Sequence, residues 1–301
     1  MLYYNGYGLK GLRKGCGGQT GGMDDEDNQV SSEIFEEYNY IDSTKQAHKL
    51  NYVVSKFNFI LPEYGVTVDA DGDLDVRRRN AEPPKSSIEI EHMKSTALDM
   101  VGLQLWRGAL LLADWLIDNH KVIPKNSLVL ELGSGVGLTS IVASTFFPVL
   151  CTDINRGDIL GLIERNVKRN KNICRHRVEV LELDFMSSDI PDEIVRHLPN
   201  VSLIIAADTV YDDSITRAFM KTIQKLLSMS RRMSVYIALE KRYVFTLSDC
   251  DTAAPCYEFY LECLANMKNV KYEEVPLNFP KYFEYDRVKE LVLWKLTSVV
   301  K

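Results

Sequence analysis

The chain has 301 residues, 46% of them hydrophobic and 26% charged, with a formal net charge of −6. That allows one large α/β domain or two small ones, and the acidic balance argues against a chain that holds nucleic acid by broad electrostatic attraction. Its six cysteines form no C-x-x-C pair and no His stands at zinc-finger spacing, so no metal site is expected.

The first residues, MLYYNGYGLKGLRKGCGG, lack an apolar core long enough for a signal peptide, and free thiols then point to a reducing compartment. No run of about 18 apolar residues is apparent, so no membrane span is expected. Residues 1–48 read as a disordered N-terminal extension, glycine-rich and then acidic at Met23 to Asp27. Residues 49–86 read as a strand segment with an acidic linker. Within them LNYVVSKFNFILP is aromatic and β-branched, which suits one or two strands. The stretch Asp69 to Asp75 fails as a calcium loop, because Leu74 and Asn80 stand where an EF-hand needs Gly and Glu. Arg77 to Arg79 is a weak nuclear-import pattern, and Pro83-Pro84 marks a boundary.

From residue 87 to 301 the pattern is that of one domain. Ile88, Ile90 and His92 alternate with acids as a short strand. Leu111, Leu112, Trp115 and Leu116 share a helical face that closes near Asn119. Leu128 to Leu132 then forms a strand that enters the turn Gly133-Ser134-Gly135-Val136-Gly137 and a helix from Thr139 to Phe147. Further strands are expected at Val149 to Asp153, Val178 to Leu183, Val201 to Ala207 and Ser234 to Glu240. Helices are expected at Ile159 to Asn170, Ile215 to Leu227 (capped by Asp213 or Ser214) and Tyr257 to Met267. Val270 to Val275 and Leu291 to Leu296 read as two final strands. Alternation of this kind gives a doubly wound, seven-stranded, mostly parallel sheet. No helix separates the final pair, so the last strand should be antiparallel.

The glycine turn carries the chemistry. A strand that ends in glycines and opens a helix leaves backbone N–H groups aimed at one spot, where a nucleotide-like ligand can approach. A dinucleotide fingerprint needs its third glycine at position 138, which is Leu138. Asp153, at the end of the next strand, is placed to accept hydrogen bonds from two ribose hydroxyls. Asp184 could take an adenine amino group and Phe185 could cover the ring. Asp208 and Tyr211 fall at the end of the central apolar strand, and Trp106 is either core or a cavity wall.

Taken together, Glu131-Leu132-Gly133-Ser134-Gly135-Val136-Gly137-Leu138, Trp106 in its Leu-Trp-Arg-Gly-Ala segment, Asp153 and Asp208-Thr209-Val210-Tyr211 resemble the family-16 protein-lysine methyltransferases, a group of seven-β-strand enzymes. The likeness covers about residues 60 to 298. It implies S-adenosylmethionine (SAM) as cofactor, contacted by Trp106, Gly133, Ser134, Gly135, Asp153, Phe185 and Ala207, with Glu131 inside the first motif. It implies a substrate-side role for Asp208 and Tyr211, whose spacing matches the family's D/E-x-x-Y motif. Several relatives carry Trp where this chain has Phe185. The resemblance further implies a protein substrate, a nuclear nucleic-acid-binding zinc-finger protein, Kin. It places a monomeric enzyme in the nucleus, with the cytoplasm as a second location. Neither direct nucleic-acid binding nor membrane attachment is expected.

Two other classes compete. An NAD-dependent oxidoreductase is disfavoured by Leu138 and by the Asp-x-x-Tyr motif. A methyltransferase-fold binding protein without catalysis is disfavoured by the intact glycines, Asp153, Asp208 and Tyr211. An N6-adenine methyltransferase would carry prolines inside Asp208 to Tyr211, and Pro255-Cys256 lies too late for a cytosine-C5 nucleophile.

Overall fold

The computed structural model describes residues 29–60, 85–230, 232–246 and 251–299. The acidic stretch at Asp69, the Arg77 to Arg79 triplet and the Pro83-Pro84 pair lie outside the described residues.

In chain order the elements are β1 (Gln29–Ser31), α1 (Ile34–Glu37), β2 (Tyr52–Ile60), β3 (Lys85–Met93), β4 (Ser95–Ala97), a 3-10 segment (Leu98–Leu103) and α2 (Arg107–Asn119). There follow β5 (Leu128–Leu132), α3 (Leu138–Ala143), β6 (Val149–Asp153), α4 (Ile159–Arg169), β7 (Val178–Glu182), α5 (Asp192–His197) and β8 (Val201–Ala207). The chain continues with α6 (Asp213–Met229), β9 (Ser234–Glu240), a small pair β10 (Val244–Thr246) and β11 (Asp251–Ala253), α7 (Pro255–Ala265), β12 (Val270–Glu274) and β13 (Leu291–Ser298).

Seven strands form one sheet in the order β12-β13-β9-β8-β5-β6-β7. β13 runs antiparallel to both neighbours and the other pairings are parallel. This is the expected doubly wound sheet. The final pair is antiparallel because its connection carries no helix to cross the sheet. Alternate residues of each strand enter different cores. Val129, Leu203 and Ile205 face α2, α3 and α4, whereas Leu130, Leu132, Ile204 and Ala206 face α6 and α7. Strands covered on both faces explain the continuous apolar runs in the sequence.

Several expectations need correction. Residues 29–48 contain ordered structure: β1 pairs with β4, and Ile34 and Tyr40 are buried in the core. A boundary at residue 86 also cuts a hairpin, because β2 pairs with β3 from Tyr52↔Met93 to Ile60↔Lys85. That hairpin is fastened to α4 by two asparagines one turn apart. Asn166 accepts from Glu91 N–H (2.8 Å) and donates to Glu91 C=O (3.0 Å). Asn170 does the same at Glu89 (2.9 and 2.7 Å). The two amides stand in for a neighbouring strand, so this β3 edge keeps its hydrogen bonds. The cap of α6 is Asp212, not Asp213 or Ser214; its carboxylate accepts from Ser214 N–H (2.9 Å) and Ile215 N–H (3.0 Å).

Leu98–Asn119 also departs from expectation. It has the length and mean hydropathy of a membrane span, 22 residues at 1.3. It is a 3-10 segment joined to α2, and 78% of its apolar window is buried within the protein. In α2 the carboxylate of Asp114, fully buried, accepts from Tyr282 N–H (2.7 Å), Phe283 N–H (3.0 Å), Tyr285 OH (2.9 Å) and Arg287 (2.7 Å). Burial raises its pKa, and those four donors oppose the rise. Asp114→Ala should lower stability by about 3 kcal/mol, because it strands several donors at once. Urea unfolding checks this; a loss below about 1 kcal/mol would show that the cluster holds little together.

Candidate active site

The C-terminal ends of parallel strands lie along one edge of the sheet, so the segments after β5, β6, β7 and β8 converge there. They line a cavity of about 380 Å³, large enough for a small organic ligand. Trp106, Glu131, Gly133, Ser134, Gly135, Asp153, Asp184, Phe185, Ala207, Asp208 and Tyr211 all line it.

The turn after β5 is compact for a reason visible at two glycines. Gly133 has φ +66° and a Cβ there would sit 2.9 Å from the Thr209 methyl. Gly135 has φ +55° and a Cβ would meet the Gly102 carbonyl at 3.0 Å. The turn's N–H groups are not all free, contrary to expectation. Gly135 N–H donates to Asp153 Oδ2 (2.7 Å) and Gly137 N–H to Ser134 C=O (2.8 Å). Ile154 N–H donates to the other oxygen of Asp153 (2.7 Å). The carboxylate thus ties the turn to the end of β6 while each oxygen keeps a further lone pair.

Glu131 is fully buried and accepts a hydrogen bond from Ser140 Oγ. Burial pushes its carboxyl up to about 7, against the hydroxyl of Ser140 and with the charge of Asp153 adding to the rise. Burial likewise pushes Asp153 up to about 6, against the two backbone N–H groups. Asp184 accepts from Met186 N–H (2.8 Å), which turns the chain after β7. Phe185 packs against Phe219 with ring centroids 5.3 Å apart. Trp106 is a cavity wall, its Nε1–H donating to Val101 C=O (2.9 Å).

Asp208 follows β8 with φ +49°, a left-handed conformation that Asp tolerates better than most residues. Its oxygens accept from Gly108 N–H (2.6 Å) and Glu240 N–H (3.1 Å). It therefore holds the start of α2 and joins it to the end of β9. Burial raises its pKa, opposed first by Arg242. Burial pushes the Tyr211 phenol up to about 12, so it is neutral at physiological pH.

Sequence reasoning missed several participants. Gln104 lines the cavity and is buried. Its side chain accepts from Ser32 N–H (2.9 Å) and donates to Val30 C=O (2.9 Å) and Thr96 Oγ1 (2.7 Å). Arg107 pairs with both Glu37 and Glu240. These partners are 70 to 133 residues apart in the chain, and no local pattern announces them. Gly108 had a signal in principle, a glycine at the first turn of a good helix.

The cavity suits a cationic ligand better than a pyrophosphate. Asp99, Glu131, Asp153, Asp184 and Asp208 line it, with Arg156 the one cationic side chain among the described lining residues. A dinucleotide needs N–H groups turned toward its phosphates, and Gly135 spends its own on Asp153. SAM, a nucleoside bearing a sulfonium, fits this donor set and charge. The sheet order and this site define a SAM-dependent methyltransferase.

Residues 85–252 match the model of a family described as lysine methyltransferase. Methyltransferase-like protein 22 of Mus musculus is 31% identical over 296 residues, covering 79% of this chain and 75% of that one. The Homo sapiens protein of that name is 33% identical over 238 residues, covering 71% and 58%; the matched part is thus less than two thirds of the human relative's length. The solved glycopeptide N-methyltransferase MtfA in complex with S-adenosyl-L-homocysteine aligns over 64% of this chain and 90% of that one, at 12% identity and a TM-score of 0.44. The chain belongs to the lysine methyltransferase family.

Proposed function

We propose that the chain transfers a methyl group from SAM to a lysine side chain of a protein substrate. The observation that carries this reading is that Asp208, Tyr211 and Trp106 all line the cavity. A cavity lined by a carboxylate and aromatic rings suits an alkylammonium side chain, and family membership supports the same acceptor.

SAM supplies a methyl group already activated on a sulfonium. The protein's task is to bind and align. Asp153 would hold the ribose hydroxyls, and Asp184 with Phe185 would hold the adenine. Gly133, Ser134, Gly135 and Ala207 allow close approach of the backbone. Glu131 braces the turn through Ser140. Asp208 draws in the substrate ammonium by its charge while fixing the start of α2. Tyr211, neutral and half-buried, walls the lysine channel. The lysine would act as the free amine, its proton lost to solvent, and S-adenosylhomocysteine would leave as the second product.

The finer reading is a nuclear substrate, the nucleic-acid-binding zinc-finger protein Kin, modified by a monomeric enzyme resident in the nucleus. It rests on what the resemblance of the motifs implies. The net charge of −6 suits an enzyme that meets a basic protein rather than the nucleic acid itself.

Incubation with radiolabelled SAM, in nuclear extract and with purified Kin, tests both levels. Label on a lysine of a protein, absent with Asp208→Ala, is the expected result. Label on other proteins but not on Kin removes the finer reading. Measurable SAM binding with no labelled protein removes the coarser one.

A further inference from the structure

We propose that Arg242 is a positioning residue for the methyl-transfer site, holding the Trp106 indole in place as a cavity wall, and that Glu33 of the N-terminal segment sets Arg242 in turn. The inference deepens the SAM-binding reading of the cavity and needs no assumption about the acceptor.

The Arg242 guanidinium lies over the Trp106 ring, 4.6 Å from its centroid. Trp106 lines the cavity and Arg242 does not. The ring edge is held by Val101 C=O, so edge and face are fixed by different partners. Arg242 donates to Glu33 Oε1 at 3.2 Å, and both side chains are mostly buried, 17% exposed. The pair is therefore less screened than a surface ion pair. Each end of this chain of contacts is anchored. Ser32 N–H is held by Gln104, and Ile34 is fully buried, so Glu33 sits between two pinned residues. At the other end, Glu240 N–H bonds to Asp208 and Lys241 N–H to Glu290 C=O (3.0 Å). Residue 242 thus follows two backbone tethers, one of them to the site's own carboxylate.

Residues 29–41 precede the part of the chain that matches the family model, which begins at residue 85. They nevertheless reach the site wall through Glu33–Arg242–Trp106 and through Gln104, and Glu37 pairs with Arg107, the residue after Trp106. A preset indole lowers the ordering cost of binding, because a loose ring would have to be immobilised by the ligand. Arginine suits the task and lysine does not: its planar head stacks on an indole while its N–H groups still reach a carboxylate.

The test uses the full 301-residue chain and SAM alone. SAM affinity is measured by calorimetry. The emission of Trp106 is read as the difference between each protein and its Trp106→Phe counterpart. Arg242→Ala should raise the SAM Kd about tenfold, and Arg242→Lys and Glu33→Gln about threefold each. All three should shift the Trp106 emission. Arg287→Ala, which breaks the Asp114 cluster away from the cavity lining, should lower the melting temperature and leave both readouts unchanged. Arg242→Lys and Glu33→Gln keep the test decisive if Arg242→Ala fails to fold. The proposal is overturned if the Arg242 and Glu33 variants bind SAM within about twofold of the wild type with unchanged Trp106 emission. It is equally overturned if Arg287→Ala moves Kd as much as they do.

Discussion

Asp153→Ala should weaken SAM binding at least about a hundredfold. The carboxylate has two jobs in the folded chain. It accepts from Gly135 N–H and Ile154 N–H, which sets the glycine turn against the end of β6. On the proposed role it also accepts from the ribose hydroxyls of the cofactor. Hydrogen bonds to an ionised group contribute about 1.5–3 kcal/mol each, and 1.4 kcal/mol is a factor of about ten in affinity. Losing the ribose bonds alone therefore costs about two decades, and a slackened turn adds to that. Asp153→Asn keeps one acceptor and should fall between the two. Calorimetric titration with SAM decides; Asp153→Ala binding within about tenfold of the wild type would remove Asp153 from the cofactor site.

The same residue gives a pH signature with two opposite signs. Burial lifts its pKa from 3.8 to about 6 in the folded chain. Between those values the folded state holds more protons than the unfolded one. This group's contribution to stability therefore falls as pH rises from about 4 to about 6, and is level above that. Cofactor binding runs the other way, because a ribose needs the ionised carboxylate as acceptor. SAM affinity should decline below pH 6, approaching tenfold per pH unit. Glu131, lifted to about 7 and coupled to Asp153 by charge, broadens the transition. Titrations with SAM at several pH values, beside thermal melts of the free protein, separate the two trends. An affinity independent of pH between 5 and 8 would contradict the assignment.

How much of this was legible in the sequence depended on whether the cause was local. Val201–Ala207 and Ser234–Glu240 match their expected spans because continuous apolar runs of that length suit buried strands. The cavity-lining set was legible because topology gathers strand ends, so a residue just after a parallel strand is placed by the fold itself. The six-residue α5 was missed, since it has few turns in which to show a period. β1 and α1 were read as disorder because their polar stretch is held by distant partners: Gln104, Arg107 and Arg242. The use of Gly135 N–H by Asp153 was also invisible. Glycine spacing says that a turn is tight, not which acceptor its amides meet.

Asp208 and Gly108 illustrate the same limit and give the second large prediction. They are 100 residues apart, yet Gly108 N–H donates to Asp208 at 2.6 Å. A Cβ on Gly108 would lie 2.5 Å from Asp208 Oδ2 and 2.8 Å from its Cγ, closer than atoms can pack. Gly108→Ala must therefore push the carboxylate aside or shift the start of α2. Asp208→Ala removes the carboxylate, leaves two partly buried N–H groups without an acceptor and puts Ala at φ +49°. Both variants should lower the rate of methyl transfer by about a hundredfold or more, since a misplacement of about 1 Å has that effect on an aligned reaction. Asp208→Ala should also lose about 3 kcal/mol of stability. The two changes act through one contact, so their effects should not add. The double variant should transfer methyl no more slowly than Asp208→Ala alone. Single-turnover rates for the four proteins, with SAM affinity measured alongside, make the comparison. Gly108→Ala within about threefold of the wild-type rate, or a double variant slower by the product of the two losses, would mean that Asp208 does not act through the start of α2.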